Sequence, residues 1–354
     1  MNLYHLVNIR NKFYELNSSK VFILSFLICV IFYFIEGFVG VDRYYHPDSV
    51  HYLSKYYDFS LKNYISKPSR IFTGFYYHVT NLFNDNYYFL ILLNFILYSI
   101  TNVFIYQKVF KKYFCTYDNL KLVFLFYILF LDPYRLHLAS HILKETFLIF
   151  FMILIVLSNL KIIKILSIII MDSIRPNSWI YILIFLTYSN IIKIIKPKII
   201  YIILGVFILF IIIYFLLELN TIYFIQEVYE SFINKMQYFY NRKMPIRSYD
   251  YVYQFKDFGF PLGFILKIII WPLLLVSGFF IFFVSSILFK FLGIVIVLNN
   301  ILIYLLTKKT FVSFGLIIVL IMISIYTSSY TAMFRYSYIA VYTSVIYFFY
   351  KYQN

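Results

Sequence analysis

Acidic side chains, cysteines and phosphate-gripping glycine patterns are what this sequence holds least of. Fifteen Asp and Glu stand against 31 Lys and Arg, and only 13% of the 354 residues are charged. With 63% hydrophobic residues, that composition excludes an ordinary soluble domain. Two cysteines, Cys29 and Cys115, supply neither a disulfide framework nor a metal-ligand spacing. No Gly-rich phosphate loop, zinc-protease helix motif or nucleotide fingerprint occurs, so a cytoplasmic nucleotide-sugar donor finds no support. No small-residue cleavage site ends the first apolar run, 21–40, which therefore reads as a retained signal-anchor helix. No internal repeat is visible, and an inverted-repeat transporter is unsupported on that ground.

What the chain does have is a series of apolar runs long enough to cross a bilayer, punctuated by lysines. A formal net charge of +16 would suit nucleic acid, but its distribution does not. The excess lies in short lysine clusters beside apolar runs, which is the signature of membrane topology, so no nucleic-acid partner is expected.

The predicted fold is all-α, a single polytopic integral membrane domain over 1–354 with roughly 9–11 spanning or half-spanning helices. Arg10, Lys12 and Lys20 put the N-terminus inside, and 21–40 crosses outward. A first large outer loop covers 41–86, and 87–107 returns to Lys108, Lys111, Lys112 and Lys121. From 122 to 160 the chain goes out and back to Lys161 and Lys164, with a polar tip from Asp132 through Glu145. Between Lys164 and Lys193 there is too little chain for two full spans, so a re-entrant hairpin or two short helices is predicted, with Asp172 and Arg175 at the tip. Residues 199–217 cross to a second large outer loop, 218–262. Residues 263–289 return, 310–326 leave, Arg335 marks an outer turn and 336–350 return; 291–306 is a hairpin or interfacial segment.

On this topology seven of the eight arginines face outward: Arg43, Arg70, Arg135, Arg175, Arg242, Arg247 and Arg335. Short outer segments normally avoid positive charge, and planar, always-charged, bidentate donors suit an anionic ligand such as a diphosphate. The first outer loop opens with Asp42-Arg43-Tyr44-Tyr45-His46-Pro47-Asp48-Ser49-Val50-His51-Tyr52, in which Asp48 is a candidate general base on a sugar hydroxyl. At the next tip, a continuous helix would set His137, His141 and Glu145 at i, i+4 and i+8 on one face. Histidines at i, i+4 are a permitted metal spacing, but a third ligand would have to come from elsewhere, and no metal or cofactor is expected. Lys144 is the cation beside them. Asp172 and Arg175, at i, i+3 among apolar residues, form a candidate intramembrane pair. Tyrosines crowd the first outer loop, where sugar rings can stack on them and the headgroups hold an aromatic belt.

The many spans, the arginines in two large outer loops (Arg43 and Arg70; Arg242 and Arg247) and Ser140-His141-Ile142-Leu143-Lys144-Glu145 at the head of an apolar helix resemble bacterial Wzy-type polymerases of O-antigen or capsule repeat units. That resemblance covers most of the chain through short, degenerate motifs. It implies transfer of a growing glycan from one undecaprenyl diphosphate carrier to another lipid-linked repeat unit, on the periplasmic face of the bacterial inner membrane, with a chain-length regulator protein as a partner. His46-Pro47-Asp48-Ser49 with His51-Tyr52, Ile174-Arg175-Pro176 and Arg335-Tyr336 are similar instead to GT-C glycosyltransferases, which use polyprenyl-phosphate sugars. Ser49 departs from that pattern, which commonly has a second acidic residue there.

The expected chemistry is metal-independent glycosyl transfer. Asp48, His141 and Glu145 are the catalytic candidates, and Arg70, Arg135, Lys144, Asp172, Arg175, Arg242, Arg247 and Arg335 the candidates for holding diphosphate and glycan. A flippase for the same lipid-linked glycan is the alternative of another class.

Overall fold

A computed structural model of the chain describes residues 16–38, 69–83, 87–111, 126–175 and 330–351, with separate positions at 123, at 178 and within 262–270. Every element among the described residues is helical. The helices are α1 (Ser18–Phe38), α2 (Ser69–Leu82), α3 (Tyr88–Ile105), α4 (Pro133–Ser140), α5 (Glu145–Leu157), α6 (Lys161–Ile174) and α7 (Tyr330–Lys351). Wider π turns extend α3 over Tyr106–Phe110 and precede α4 over Tyr127–Leu131. The chain divides into two compact units: one of Met1–Leu183 with Tyr342–Asn354, the other Ile184–Val341. In the second, the described residues are those within 262–270 and the first turns of α7, all helical.

Two helices are long and apolar enough to cross a bilayer, Ser18–Phe38 and Tyr88–Phe110. At 1.5 Å per residue they measure about 32 and 34 Å, against a hydrocarbon thickness of about 30 Å. Both coincide with predicted spans. The Asn17 side chain starts α1 by accepting the Lys20 amide at 2.8 Å. Ile23, Leu27, Ile31, Phe34 and Phe38 make an exposed apolar face along α1, while Val21, Ser25, Cys29 and Glu36 are buried on the other. α1 lies along α3, and the Asn102 amide donates to Ser25 Oγ at 3.0 Å between them. An outward apolar face with a polar inner seam inverts the pattern of a soluble helix.

Two predicted features change. Within the expected first outer loop, Ser69–Leu82 folds as α2 and packs on α6 and α3. Its Tyr76 is fully buried, edge-on to Phe147. Arg335 lies inside α7, which starts at Tyr330 rather than after a turn at that residue. The helix expected to carry His137, His141 and Glu145 on one face is broken: α4 stops at Ser140, His141 is extended (φ −117°, ψ 160°), and α5 starts at Glu145. Within the stretch expected to hold two short helices or a re-entrant hairpin, α6 is 14 residues long and reaches only about 21 Å. The second arm and the outer loop 218–262 lie outside the described residues.

The break itself is well satisfied. Asp132 caps α4 by accepting the Tyr134 and Arg135 amides at 3.1 and 3.3 Å, and Pro133 occupies the first helical position, where a missing N–H costs nothing. A helix end buried in an apolar interior must find donors for its last carbonyls. Here Ser140 Oγ donates to Leu136 O, Thr146 Oγ1 to Leu138 O, Asn94 Nδ2 to His141 O at 2.7 Å, and the Tyr76 hydroxyl to Leu143 O at 3.3 Å. Donors from α2, α3, α4 and α5 therefore hold open a non-helical turn at residues 141–144.

Candidate functional site

Around that turn the structure gathers two ionisable groups of side chains. The first joins α1 to α4. His137 Nδ1 lies 2.7 Å from Glu36 Oε1, and His141 Nε2 lies 3.5 Å from Glu36 Oε2. The two imidazole centroids are 4.4 Å apart, and the Tyr134 ring stacks on His137 at 6.2 Å. All three residues are buried, with Glu36 at 4% and His141 at 2% exposure. With the carboxylate ionised, the 2.7 Å contact places the proton on His137 Nδ1.

The second group joins α5 to the end of α6. Glu145 Oε1 faces Arg175 Nη1 at 3.6 Å, the carboxylate side chain 1% exposed and the arginine 24%. Arg175 terminates α6 in extended backbone (φ −143°, ψ 120°), which turns its side chain out of the helical run. Lys144, in the turn before α5, donates to the Ile174 carbonyl at 3.2 Å and so meets the last turn of α6. A buried carboxylate, a half-open guanidinium and an ammonium thus converge where two short helices end.

The predicted site residues separate accordingly. His141, Lys144, Glu145 and Arg175 come together at the turn. Glu145 reaches it by starting a new helix and turning to Arg175, not by stacking below His141 on a common face. Asp172 lies in the last turn of α6, and the Arg175 beside it reaches Glu145, a partner that the i, i+3 spacing does not name. Arg135 is a different matter. Its guanidinium is buried between the Tyr98 and Tyr342 rings, 4.2 and 5.0 Å from their centroids. It donates to the Tyr342 hydroxyl at 2.6 Å and to the Tyr98 carbonyl at 3.3 Å. These contacts place it in the interior as a pin between helices. Arg70 and Arg335 are placed by backbone in α2 and α7, while Asp48, Arg242 and Arg247 lie outside the described residues.

Glu36 is the residue the sequence reading missed. Its signal was present: it is the sole carboxylate in a 21-residue helix that is otherwise almost wholly apolar. An ionisable group at membrane depth is a functional candidate by default. Asn94, which positions His141 through its backbone, carried no comparable mark. In comparisons with known proteins, the chain matches no family model, no curated protein and no solved structure.

Proposed function

We propose that this chain is a multi-pass membrane glycosyltransferase that polymerises undecaprenyl-diphosphate-linked oligosaccharide repeat units on the periplasmic face of the bacterial inner membrane. The observation that carries the reading is the meeting of Arg175, Lys144 and buried Glu145 at the ends of two short helices. Supporting it are the outward apolar face of α1 and a similar face on α6 formed by Ile162, Ile165, Leu166 and Ile169. Such faces belong against hydrocarbon, and a non-helical turn among them is tolerated where protein or a wet cavity receives it.

In the proposed reaction the donor diphosphate binds Arg175 and Lys144, drawing the guanidinium from Glu145. The released carboxylate then takes the proton of the acceptor hydroxyl. The hydroxyl oxygen bonds to the donor's anomeric carbon as the bond to the diphosphate oxygen breaks. Undecaprenyl diphosphate leaves with the electron pair, its growing charge held by the two cations. Coupling base release to diphosphate binding keeps the carboxylate from acting before the donor is seated. Asp48, Arg70, Arg242, Arg247 and Arg335 remain candidates from the outer segments for the base and for further diphosphate contacts.

The test is incubation of purified protein in detergent with undecaprenyl-diphosphate-linked repeat units, products resolved on a gel. A ladder of regular increments is expected from the wild type, slowed about 10²–10³-fold by Arg175→Ala and by Glu145→Gln. A ladder unaffected by either change overturns the site. Single-sugar addition from a polyprenyl-monophosphate donor replaces the polymerase with a GT-C-like transferase, and movement of lipid-linked glycan across vesicles with no new glycosidic bond replaces it with a flippase.

A further inference from the structure

The transfer reaction leaves one buried cluster unused. Glu36 comes from α1, His137 from α4 and His141 from the turn after it, and one candidate ligand atom from each lies within 4.8 Å of the other two. We propose that Glu36, His137 and His141 form a site for one divalent ion of the zinc class, with a fourth position open to water or a phosphate oxygen. The donor set, two imidazoles and one carboxylate, is that of zinc sites with three protein ligands and an exchangeable fourth.

One distance distinguishes this from a fully hydrogen-bonded trio. Donors on one tetrahedral zinc, at bonds of about 2.0–2.1 Å, lie about 3.4 Å from each other. His141 Nε2 and Glu36 Oε2 are 3.5 Å apart. That is long for a charge-assisted hydrogen bond and close to the separation of two donors sharing an ion. Glu36 Oε2 is buried and receives no hydrogen bond among the described residues. A buried carboxylate oxygen left so is expensive, and a cation answers it. The 2.7 Å contact between His137 Nδ1 and Glu36 Oε1 is where a proton now sits; ion binding displaces that proton.

The surroundings hold the ligands in advance. Asn94 fixes the His141 carbonyl at 2.7 Å, Asp132 caps the helix that carries His137, and Tyr134 stacks on the His137 ring. Outer contacts of this kind orient ligand rings in metal sites. The third ligand, which the i, i+4 histidine spacing could not supply, arrives from α1.

The experiment is metal content, read apart from transfer activity so that the site and the glycosyl-transfer reading stand or fall separately. Protein purified in detergent without chelator should hold about one zinc per chain. After stripping, cobalt should bind with visible d–d absorption, and zinc should raise the melting temperature. Glu36→Gln, nearly isosteric, should fold yet lose the cobalt bands and the zinc-dependent melting shift, with affinity down at least ~100-fold, and His141→Ala should do the same. Wild-type protein that retains no stoichiometric metal and takes up no cobalt overturns the proposal. So does undiminished binding by Glu36→Gln, or bound iron with cobalt refused.

Discussion

Asn94 does its work through a backbone. Its amide in α3 donates to the carbonyl of His141 at 2.7 Å, inside a turn with no helical partner for that oxygen. The Leu143 amide also donates to that oxygen, at 2.9 Å, so Asn94→Ala removes one of two donors and should lower stability by about 0.5–1.5 kcal/mol. Denaturant unfolding in detergent measures it, with exposed Ile23→Ala as the reference. A loss no greater than the reference removes Asn94 from the support of the turn. Arg135 illustrates the same scale from the other side. As an outward arginine it fitted the diphosphate pattern, yet its guanidinium is committed to two tyrosine rings, a hydroxyl and a carbonyl. Sequence position announced the charge but not its direction. Glu36 was legible as a lone carboxylate in an apolar helix; what it meets was not.

At the scale of elements, α4 is the unit that matters. Eight residues of helix are below the length at which helices hold on their own, so the Asp132 cap, Pro133 and the side-chain donors at its far end sustain it. Asp132→Ala should cost about 0.5–2 kcal/mol, and Asp132→Asn, an equally good cap, much less. Comparing their unfolding midpoints checks this; equal losses would mean that charge, not capping, is what Asp132 supplies. Asp132-Pro133 is a helix start signal that the reading of 132–145 as a polar tip left unused. The stop of α4 was not legible, because Ser140-His141-Ile142-Leu143 holds neither glycine nor proline. Beside Ser140 and the Leu143 amide, donors from other helices satisfy that break, and no local pattern reports those.

At the scale of the molecule, the lysine clusters predict sidedness. A phosphatase reporter fused after residue 60 should be active, in the periplasm, and one fused after residue 112 inactive. Inverted activities would place the turn at 141–144 on the cytoplasmic side and exclude the proposed substrate face. Both helices that bear on this, Ser18–Phe38 and Tyr88–Phe110, have the length and composition to span. Between them α2 packs on α6 and α3, so part of the predicted first outer loop is structural wall.

The sequence by itself determined the helical class, the two long apolar helices and the stretch from Asp132 to Glu145 as the place where polar groups concentrate. These follow from rules that act along the chain: hydrocarbon requires long apolar runs, and a helix meets its backbone needs within its own segment. The tertiary structure alone decided the pairings. Glu36 meets His137 across 101 positions, Glu145 turns to Arg175, and Arg135 packs inside. Such contacts depend on the rotation of each helix against its neighbours and on where α4 breaks, and both are set by packing between segments rather than by spacing within one.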